Sequence, residues 1–161
     1  MSIEKEKSIV LLQGVMENSL FDLLKKRQLK EIVVLEGRPS LDSAQMSCRA
    51  LLKRKMGAKV ISDNMAGFLF YKNLVKEVWL SYQVAEKSGA LCSIGALILA
   101  VLGKRHKVAV NLYPAGKKSD FIGRPKDIFY FNGKRIAPRG IQAYVPLMEW
   151  VPGKYIGKVY E

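Results

Sequence analysis

The amino-acid sequence predicts a doubly wound α/β domain: a parallel sheet with helices on both faces, extended by a β-rich tail. Three observations lead to this prediction. The chain has 161 residues, 49% of them hydrophobic, which suits one domain with a sizeable core. Short apolar runs alternate with segments of helical periodicity as far as residue 113. Glycine-rich loops and β-type runs follow, so we divide the single predicted domain, residues 1–161, into a core (1–113) and a tail (114–161).

The predicted strands are short apolar runs that end at glycine, proline or polar residues. They cover residues 9–12, 32–35, 59–62, 75–82 and 108–113. Runs this apolar are typical of strands that are buried on both faces, as strands are in parallel sheets. Helical connections between such strands then form right-handed crossovers almost by default.

The predicted helices lie between these strands. They cover residues 20–27, 41–55, 65–70 and 94–102. Asn18 is placed to cap the first helix, and the pair Asp63 and Asn64 stands where the third begins.

The tail after Pro114 has a different pattern. Residues 115–124 are polar and glycine-rich, which indicates a loop. Residues 128–131, the turn Asn132-Gly133 and an apolar stretch at 141–145 predict a hairpin or an added edge strand.

The chain is strongly basic, because 27 Lys and Arg against 14 Asp and Glu give a formal charge of +13. A basic surface can attract nucleic acid or phosphate. Alternatively, the basic runs at residues 25–27, 53–55 and 104–107 complement the dipoles of the helices that they end. We favour the second interpretation and expect no nucleic acid partner, since no aromatic-flanked RNA-binding signature or helix-turn-helix spacing is present.

The few histidines and cysteines exclude several functions. His106 is the sole histidine, so neither an HExxH zinc site nor a Ser-His-Asp triad can form. Cys48 and Cys92 lack CxxC spacing, which argues against a zinc ribbon or a disulfide scaffold. Cys92 is most simply a small packing residue, because no histidine stands near it in the sequence. We expect no metal and no cofactor.

No segment of the sequence is suited to a membrane. The longest uncharged stretch, residues 88–103, is shorter than the roughly 20 residues that a bilayer span needs. Residues 1–7 are charged and do not form a signal-peptide pattern. We therefore expect a cytoplasmic protein without a membrane partner.

Candidate ligand-binding residues follow the predicted strands, because ligands of open α/β sheets bind outside the carboxyl ends of the strands. Arg38 can bind phosphate or carboxylate through its planar fork, or it can pair with Glu36. Residues 89–95 precede a helix and include Ser93, so their backbone N–H groups could cradle a phosphate. Asp63 is either a helix N-cap or part of the same site.

Four segments, in chain order, resemble segments of one family. They are Glu36-Gly-Arg-Pro39 with Leu41 and Ala44, residues 61–69, residues 88–95, and residues 133–138 with Gly140. They are similar to the ETRP…QGAR, TDSMAG, NGDVANKIG and GVRIAPEGV segments of methylthioribose-1-phosphate isomerase and its relatives. These relatives are ribose-1,5-bisphosphate isomerase and the alpha, beta and delta subunits of translation initiation factor 2B. The chain is thereby identified as a member of this family.

The resemblance covers only the C-terminal, Rossmann-like domain of the family, and the helical N-terminal domain has no counterpart here. It implies a Rossmann-like parallel sheet and a homodimer formed through this domain. The isomerases carry a Cys after the first strand and an Asp after a later one. Here the first strand ends at Gln13, and the position of the Asp falls on Gln83, so no catalytic residue is expected.

Other positions of the family site are changed or kept. Asp42 replaces a binding Gln, and Cys92 with Ser93 replaces an Asn-Lys pair. The residues that we expect to bind a sugar phosphate are Arg38, Asp42, Asp63, Gln83, Gly89, Ser93 and Gly95.

The sequence leaves three functions open. The leading hypothesis is a degenerate family member that binds a phosphorylated sugar or nucleotide at the strand-end crevice without isomerase chemistry. The second is an aldose-ketose isomerase of sugar phosphates in which Asp42, Asp63 or Cys92 has taken over the catalytic roles. The third is a regulatory protein-interaction module, with the apolar residues 144–150 as a docking surface or dimer interface.

Overall fold

The structure is a computed structural model that describes residues 6–27 and 29–161. Most of the charged N-terminal stretch, on which the expectation of no signal peptide rests, lies outside the described residues. Within them, no helix has both the length and the apolar content that a bilayer span requires.

A single eight-stranded sheet forms the centre of the molecule. Its parallel part has the order β10-β6-β4-β1-β2-β3. These strands are β1 (Ile9–Gln13), β2 (Glu31–Leu35), β3 (Lys59–Ile61), β4 (Val75–Glu86), β6 (Ala109–Pro114) and β10 (Lys158–Val159). All five strands predicted from the apolar runs are therefore present in the sheet.

Helices cover both faces of this sheet. They are α1 (Leu20–Lys26), α2 (Cys48–Lys53), α3 (Ala66–Tyr71) and α4 (Ala96–His106). On one face, Phe21 and Leu24 of α1 and Leu51 of α2 pack with buried side chains of β1 and β2. On the other face, α3 and α4 pack through Phe70 and Leu99 against the opposite sides of the same strands and of β4. The predicted α/β architecture is confirmed.

The helix boundaries differ from the prediction at the second and third helices. Leu41 has a φ of 63°, so it cannot begin a right-handed helix. A π-helical turn, Ser43–Ser47, precedes α2 instead, and a 3₁₀ turn, Asp63–Met65, precedes α3. Basic residues do fill the last turns of α1, α2 and α4, as expected for complements of the helix dipole.

The largest correction concerns residues 89–95, which we predicted to be a phosphate-binding turn. Strand β4 continues to Glu86, and the chain then returns as an antiparallel strand, β5 (Gly89–Ser93). A further antiparallel strand, β9 (Met148–Pro152), pairs with the other side of β5. The sheet is therefore mixed, and the backbone of residues 89–93 forms ladder hydrogen bonds.

The tail is only partly as predicted. Strands β7 (Tyr130–Phe131) and β8 (Lys134–Arg135) form the predicted hairpin, and its turn residues Asn132 and Gly133 both have positive φ, as a type I′ turn requires. Residues 141–145 form no strand, and the strand of this region lies further along, in β9, where Met148 and Val151 are buried. A short helix, α5 (Pro125–Phe129), was not predicted.

We call residues 116–144 the hairpin segment. No side chain in this fully described stretch is buried. Seven large apolar side chains in it are more than half exposed: Phe121, Ile122, Tyr130, Phe131, Ile136, Ile141 and Tyr144. The segment therefore adds nothing to the cores on the two faces of the sheet.

A polar cluster lies on the face of the sheet that α1 and α2 cover. Glu77 of β4 is 8% exposed and accepts hydrogen bonds from Asn111 Nδ2 (2.7 Å) and Arg27 Nη2 (2.9 Å). The Arg27 guanidinium also lies over the ring of Trp79, 5.3 Å from its centroid. The buried carboxylate is thus paired with a cation and an amide donor, as burial of a charge requires.

Candidate functional site

A cleft lies at the carboxyl ends of β1 and β4, where the strand order reverses. The chain proceeds from β1 to β2 and β3 on one side and then crosses back to β4 on the other. Ligands of open α/β sheets bind at this kind of position. The cleft contains about 540 Å³ of non-protein space, part of it in its open mouth.

Polar side chains from five loops and strand ends meet in this cleft. Those with side-chain hydrogen-bonding groups are Gln13, Arg38, Ser40, Asp42, Ser43, Ser81, Gln83, Ser93, Lys117 and Ser119. Of the seven predicted binding residues, Arg38, Asp42, Gln83 and Ser93 line the cleft.

The floor of the cleft is built around Gly14, directly after β1. Its backbone N–H donates to Ser43 Oγ (3.1 Å), and its carbonyl accepts from Ser47 Oγ (3.3 Å). A Cβ at this position, where φ is +90°, would lie 1.9 Å from Ser81 Oγ. Only glycine therefore allows the π-helical turn, β1 and β4 to approach each other here.

Asp63 organises the loop that carries Arg38. Its two carboxylate oxygens accept hydrogen bonds from the backbone N–H groups of Gly37 (2.9 Å) and Arg38 (2.8 Å). The N-cap position is Ser62 in the 3₁₀ turn and Met65 in α3, so Asp63 is not the helix cap that the sequence suggested as one alternative. Asp63 lies behind the cleft wall and positions the loop.

Arg38 extends towards the hairpin segment. Its guanidinium lies over the Phe131 ring, 5.3 Å from the centroid, and Nη1 is 3.5 Å from the Tyr130 carbonyl oxygen. Among the described residues, Glu36 and the other carboxylates form no ion pair with Arg38. The alternative of a local ion pair is therefore not realised, and the guanidinium keeps donors for an anion.

Lys117 is the functional candidate that sequence reasoning missed. Its Nζ lies 2.8 Å from Asp42 Oδ2 across the cleft, and both side chains are partly exposed. Lys117 lies in residues 115–124, for which the sequence predicted a loop and no function. The strand-end rule could have found it, because it is the first charged residue after β6.

Two glutamine amides lie at the cleft, Gln13 at the end of β1 and Gln83 within β4. Gln13 is 2% exposed, and its Nε2 donates to the Ile94 carbonyl (2.7 Å). Its Oε1 is buried without a hydrogen-bond partner in the described part of the chain. Gln83 Nε2 is 3.5 Å from the Ser119 carbonyl oxygen and 3.4 Å from Met148 Sδ. Both amides can hydrogen-bond a ligand, and neither can act as a base at neutral pH.

The predicted phosphate cradle is occupied by the protein itself. The N–H of Ile94 donates to the Leu147 carbonyl (2.9 Å), and the N–H of Leu97 donates to Glu149 Oε1 (2.8 Å). The Glu149 carboxylate thus complements the N-terminus of α4, where an anion would bind.

The two predicted glycines of that cradle lie outside the cleft wall. Gly89 lies at the opposite end of β5, opposite Pro152 of β9. Gly95 lies beneath Gln13, and a Cβ there would be 3.6 Å from Gln13 Nε2.

Cys92 is fully buried in the core, in agreement with the predicted packing role. Burial, with a smaller contribution from Glu149, raises the pKa of the Cys92 thiol to about 12. Burial also raises the pKa of Cys48, which is only half-buried.

We expect the two thiols to react at very different rates. With a pKa near 12, Cys92 has about 10⁻⁴ of its thiol ionised at pH 8, and it is also inaccessible. Titration of the native protein with a disulfide reagent at pH 8 should therefore modify Cys48 alone, and denaturant should release the second thiol. The Cys48→Ser variant should show no reactive thiol until it unfolds. Equal native rates for both cysteines would contradict the burial of Cys92.

Within residues 6–27 and 29–161, His, Cys, Asp and Glu side chains form no cluster of three or more that could hold a metal ion. The ionisable side chains that line the cleft are Arg38, Asp42 and Lys117. The cleft can therefore hold an anionic, hydroxyl-rich molecule through the Arg38 guanidinium and several uncharged donors and acceptors.

The chain belongs to the initiation factor 2 subunit family, whose model matches residues 7–160. It is similar to methylthioribose-1-phosphate isomerases. The one from Thermus thermophilus is 27% identical over 157 residues, which cover 89% of this chain and 47% of that protein. The one from Thermotoga petrophila is 31% identical over 126 residues, covering 71% of this chain and 37% of that protein. The chain spans about half the length, or less, of these curated relatives.

Solved structures share the fold. The delta subunit of translation initiation factor eIF-2B from A. fulgidus superposes with a TM-score of 0.81 at 16% identity, covering 96% of this chain and 52% of that one. The 5-methylthioribose 1-phosphate isomerase from Pyrococcus horikoshii OT3 gives a TM-score of 0.80 at 21% identity, covering 95% of this chain and 49% of that one. The family resemblance and the Rossmann-like fold inferred from the sequence are both confirmed.

Proposed function

We propose that this chain binds a small phosphorylated sugar or nucleotide in the strand-end cleft, without the isomerase chemistry of its relatives. One observation carries the proposal: Arg38, a cation without a carboxylate partner among the described residues, lines a cleft whose other polar groups are mostly hydroxyls and amides. A guanidinium fork suits phosphate, and the hydroxyls and amides suit a sugar.

The lack of a poised acid or base supports binding without turnover. Gln13 and Gln83 stand at the strand ends where the resemblance puts the isomerases' Cys and Asp. An amide cannot take up a proton at neutral pH, so neither residue can replace those groups.

The alternative of an isomerase with reassigned residues is left with one candidate. Both carboxylate oxygens of Asp63 already accept backbone hydrogen bonds, and Cys92 is buried with a raised pKa. Asp42 alone lines the cleft, but its carboxylate is paired with Lys117. A catalytic function would therefore depend on Asp42.

The alternative of a protein-interaction module is favoured by the hairpin segment, whose large apolar side chains are exposed. The prediction of a docking surface at residues 144–150 is less favoured, because Val145 and Met148 are buried within the chain and cannot contact a partner. A homodimer and a cytoplasmic location stay predictions.

Thermal unfolding with added ligands tests the proposal. Ribose 5-phosphate, methylthioribose 1-phosphate, AMP and inorganic phosphate should be compared at equal ionic strength. A ligand present at 100 times its Kd adds about 2.7 kcal/mol, which raises the Tm by roughly 5–10 °C for a chain of this size.

The Arg38→Ala variant should lose this shift and keep an unliganded Tm close to that of the wild-type protein, because Arg38 is only half-buried and forms no ion pair among the described residues. Arg139→Ala removes the same charge from an exposed position outside the cleft, so its shift should stay as in the wild-type protein. A flat response of the folded wild-type protein to the whole panel would contradict the proposed function and leave the protein-interaction alternative.

A further inference from the structure

Of the two cations that line the cleft, one is paired with a carboxylate of the described chain and the other is not. The Lys117 ammonium lies 2.8 Å from the Asp42 carboxylate, so these two groups form an ion pair of zero net charge. Arg38 lies over Phe131 and is paired with no carboxylate in the described part of the chain. The cleft therefore offers one uncompensated positive charge, although two cations line it.

We infer that Asp42 is a specificity-determining residue that restricts the cleft to ligands with one phosphate group. The inference rests on the proposed function and narrows its ligand class. The single phosphate binds at Arg38. The portion of the ligand beside the Asp42–Lys117 pair is uncharged and carries hydroxyl groups. Sugar bisphosphates are rejected.

The rejection follows from what a second phosphate would meet at Lys117. The Asp42 carboxylate already occupies this ammonium at hydrogen-bond distance, so the phosphate would have to displace it or lie beside it. Displacement breaks an ion pair, and proximity places like charges next to each other. Both side chains are partly exposed, so solvent screening keeps the discrimination moderate.

Hydroxyl groups, unlike a second phosphate, can bind beside the Asp42–Lys117 pair. A carboxylate accepts hydrogen bonds from hydroxyls, and an ammonium donates to hydroxyl oxygens. The pair can therefore bind neighbouring hydroxyls of a sugar while it stays intact. The hydroxyl of Ser40 already accepts a hydrogen bond from the Asp42 backbone N–H (3.2 Å), which places a further polar group at this position.

The test compares ribose 5-phosphate with ribose 1,5-bisphosphate by calorimetry on the wild-type protein and on Asp42→Asn. The wild-type protein should prefer the monophosphate. Asp42→Asn should shift the ratio of the two affinities towards the bisphosphate by about tenfold, because Lys117 becomes free and a negative charge is removed. Asp120→Asn makes the same charge change at an exposed residue outside the cleft, so it should leave the ratio unchanged.

The unliganded Tm of Asp42→Asn should match that of the wild-type protein, since the ion pair is at the surface. Monophosphate binding with an unchanged affinity ratio in Asp42→Asn would overturn the inference and leave the proposed function intact. A wild-type preference for the bisphosphate would overturn it in the same way. Failure of every variant to bind either compound would overturn the inference, and the proposed function would be contradicted as well if AMP and methylthioribose 1-phosphate also gave no Tm shift.

Discussion

Gly89→Ala should destabilise the protein by about 3 kcal/mol, although the sequence placed this glycine in a ligand site. A Cβ at position 89 would lie 2.3 Å from the Val151 carbonyl oxygen and 2.7 Å from Trp150 Nε1. The Val151 carbonyl is fixed by the pairing of β5 with β9, so the strands would have to separate locally. The Tm should fall by roughly 6–12 °C in a calorimetric scan.

Gly67→Ala is the matched control for this substitution. Position 67 lies in α3, and a Cβ there would meet no heavy atom within 4 Å. Its Tm should stay constant or rise slightly, because alanine is the better helix former. A Gly89→Ala protein with wild-type stability and no ligand binding would contradict the structural role and restore the interpretation of residues 89–95 as a phosphate turn.

Glu77→Ala should lower the free energy of unfolding by about 2 kcal/mol. The substitution leaves the Asn111 amide, at 8% exposure, without its 2.7 Å acceptor. It also removes the carboxylate that faces Arg27, although Arg27 can recover part of the loss because its side chain is 41% exposed. Urea titration should show a lower midpoint with an unchanged slope.

Two further variants separate the contributions of charge and hydrogen bonding. Glu77→Gln keeps an acceptor for Asn111 and should lose less stability than Glu77→Ala. Glu31→Ala removes one partner of the more exposed pair with Lys59 and should change the free energy of unfolding by less than about 1 kcal/mol. Equal decreases in the free energy of unfolding for Glu77→Ala and Glu31→Ala would show that the buried cluster contributes no more stability than an exposed ion pair.

The core of the fold could be predicted from sequence because its strands are continuous apolar runs. Ile9 to Leu12, Ile32 to Leu35 and Val110 to Tyr113 are each runs of four consecutive buried residues. β5 could not be found in this way. Its Gly89 and Ser93 are typical of turns, and its pairing with β9 joins residues about 60 positions apart. Its buried positions, Gly89, Ala90 and Cys92, neither alternate nor form a continuous apolar run, so β5 carries no strand signal of its own.

Candidate site residues could be predicted where they follow strands. They could not be predicted where their role depends on a contact with a distant part of the chain. Arg38, Gln83 and Asp42, which line the cleft, could be chosen as candidates because they lie close to strand ends or in segments that resemble the family. The role of Asp63 depends on two backbone N–H groups of another loop, and the carboxylate at the start of α4 comes from Glu149, far along the chain. Local sequence does not encode such contacts. Lys117 was missed because residues 115–124 were interpreted only from their polar, glycine-rich composition and not from the strand that they follow.

The hairpin segment helps to position a cleft residue, Arg38, although it contributes no buried side chain to the core. The guanidinium of Arg38 lies against Phe131 and near the Tyr130 carbonyl, so the course of this segment sets its position. None of the segment's side chains is buried, and doubling the length of such a loop costs only about 0.6 kcal/mol. Mutation can therefore vary the hairpin widely while the sheet stays intact. Under the proposed function, ligand preference would therefore depend in part on a segment that contributes no buried side chain to the fold.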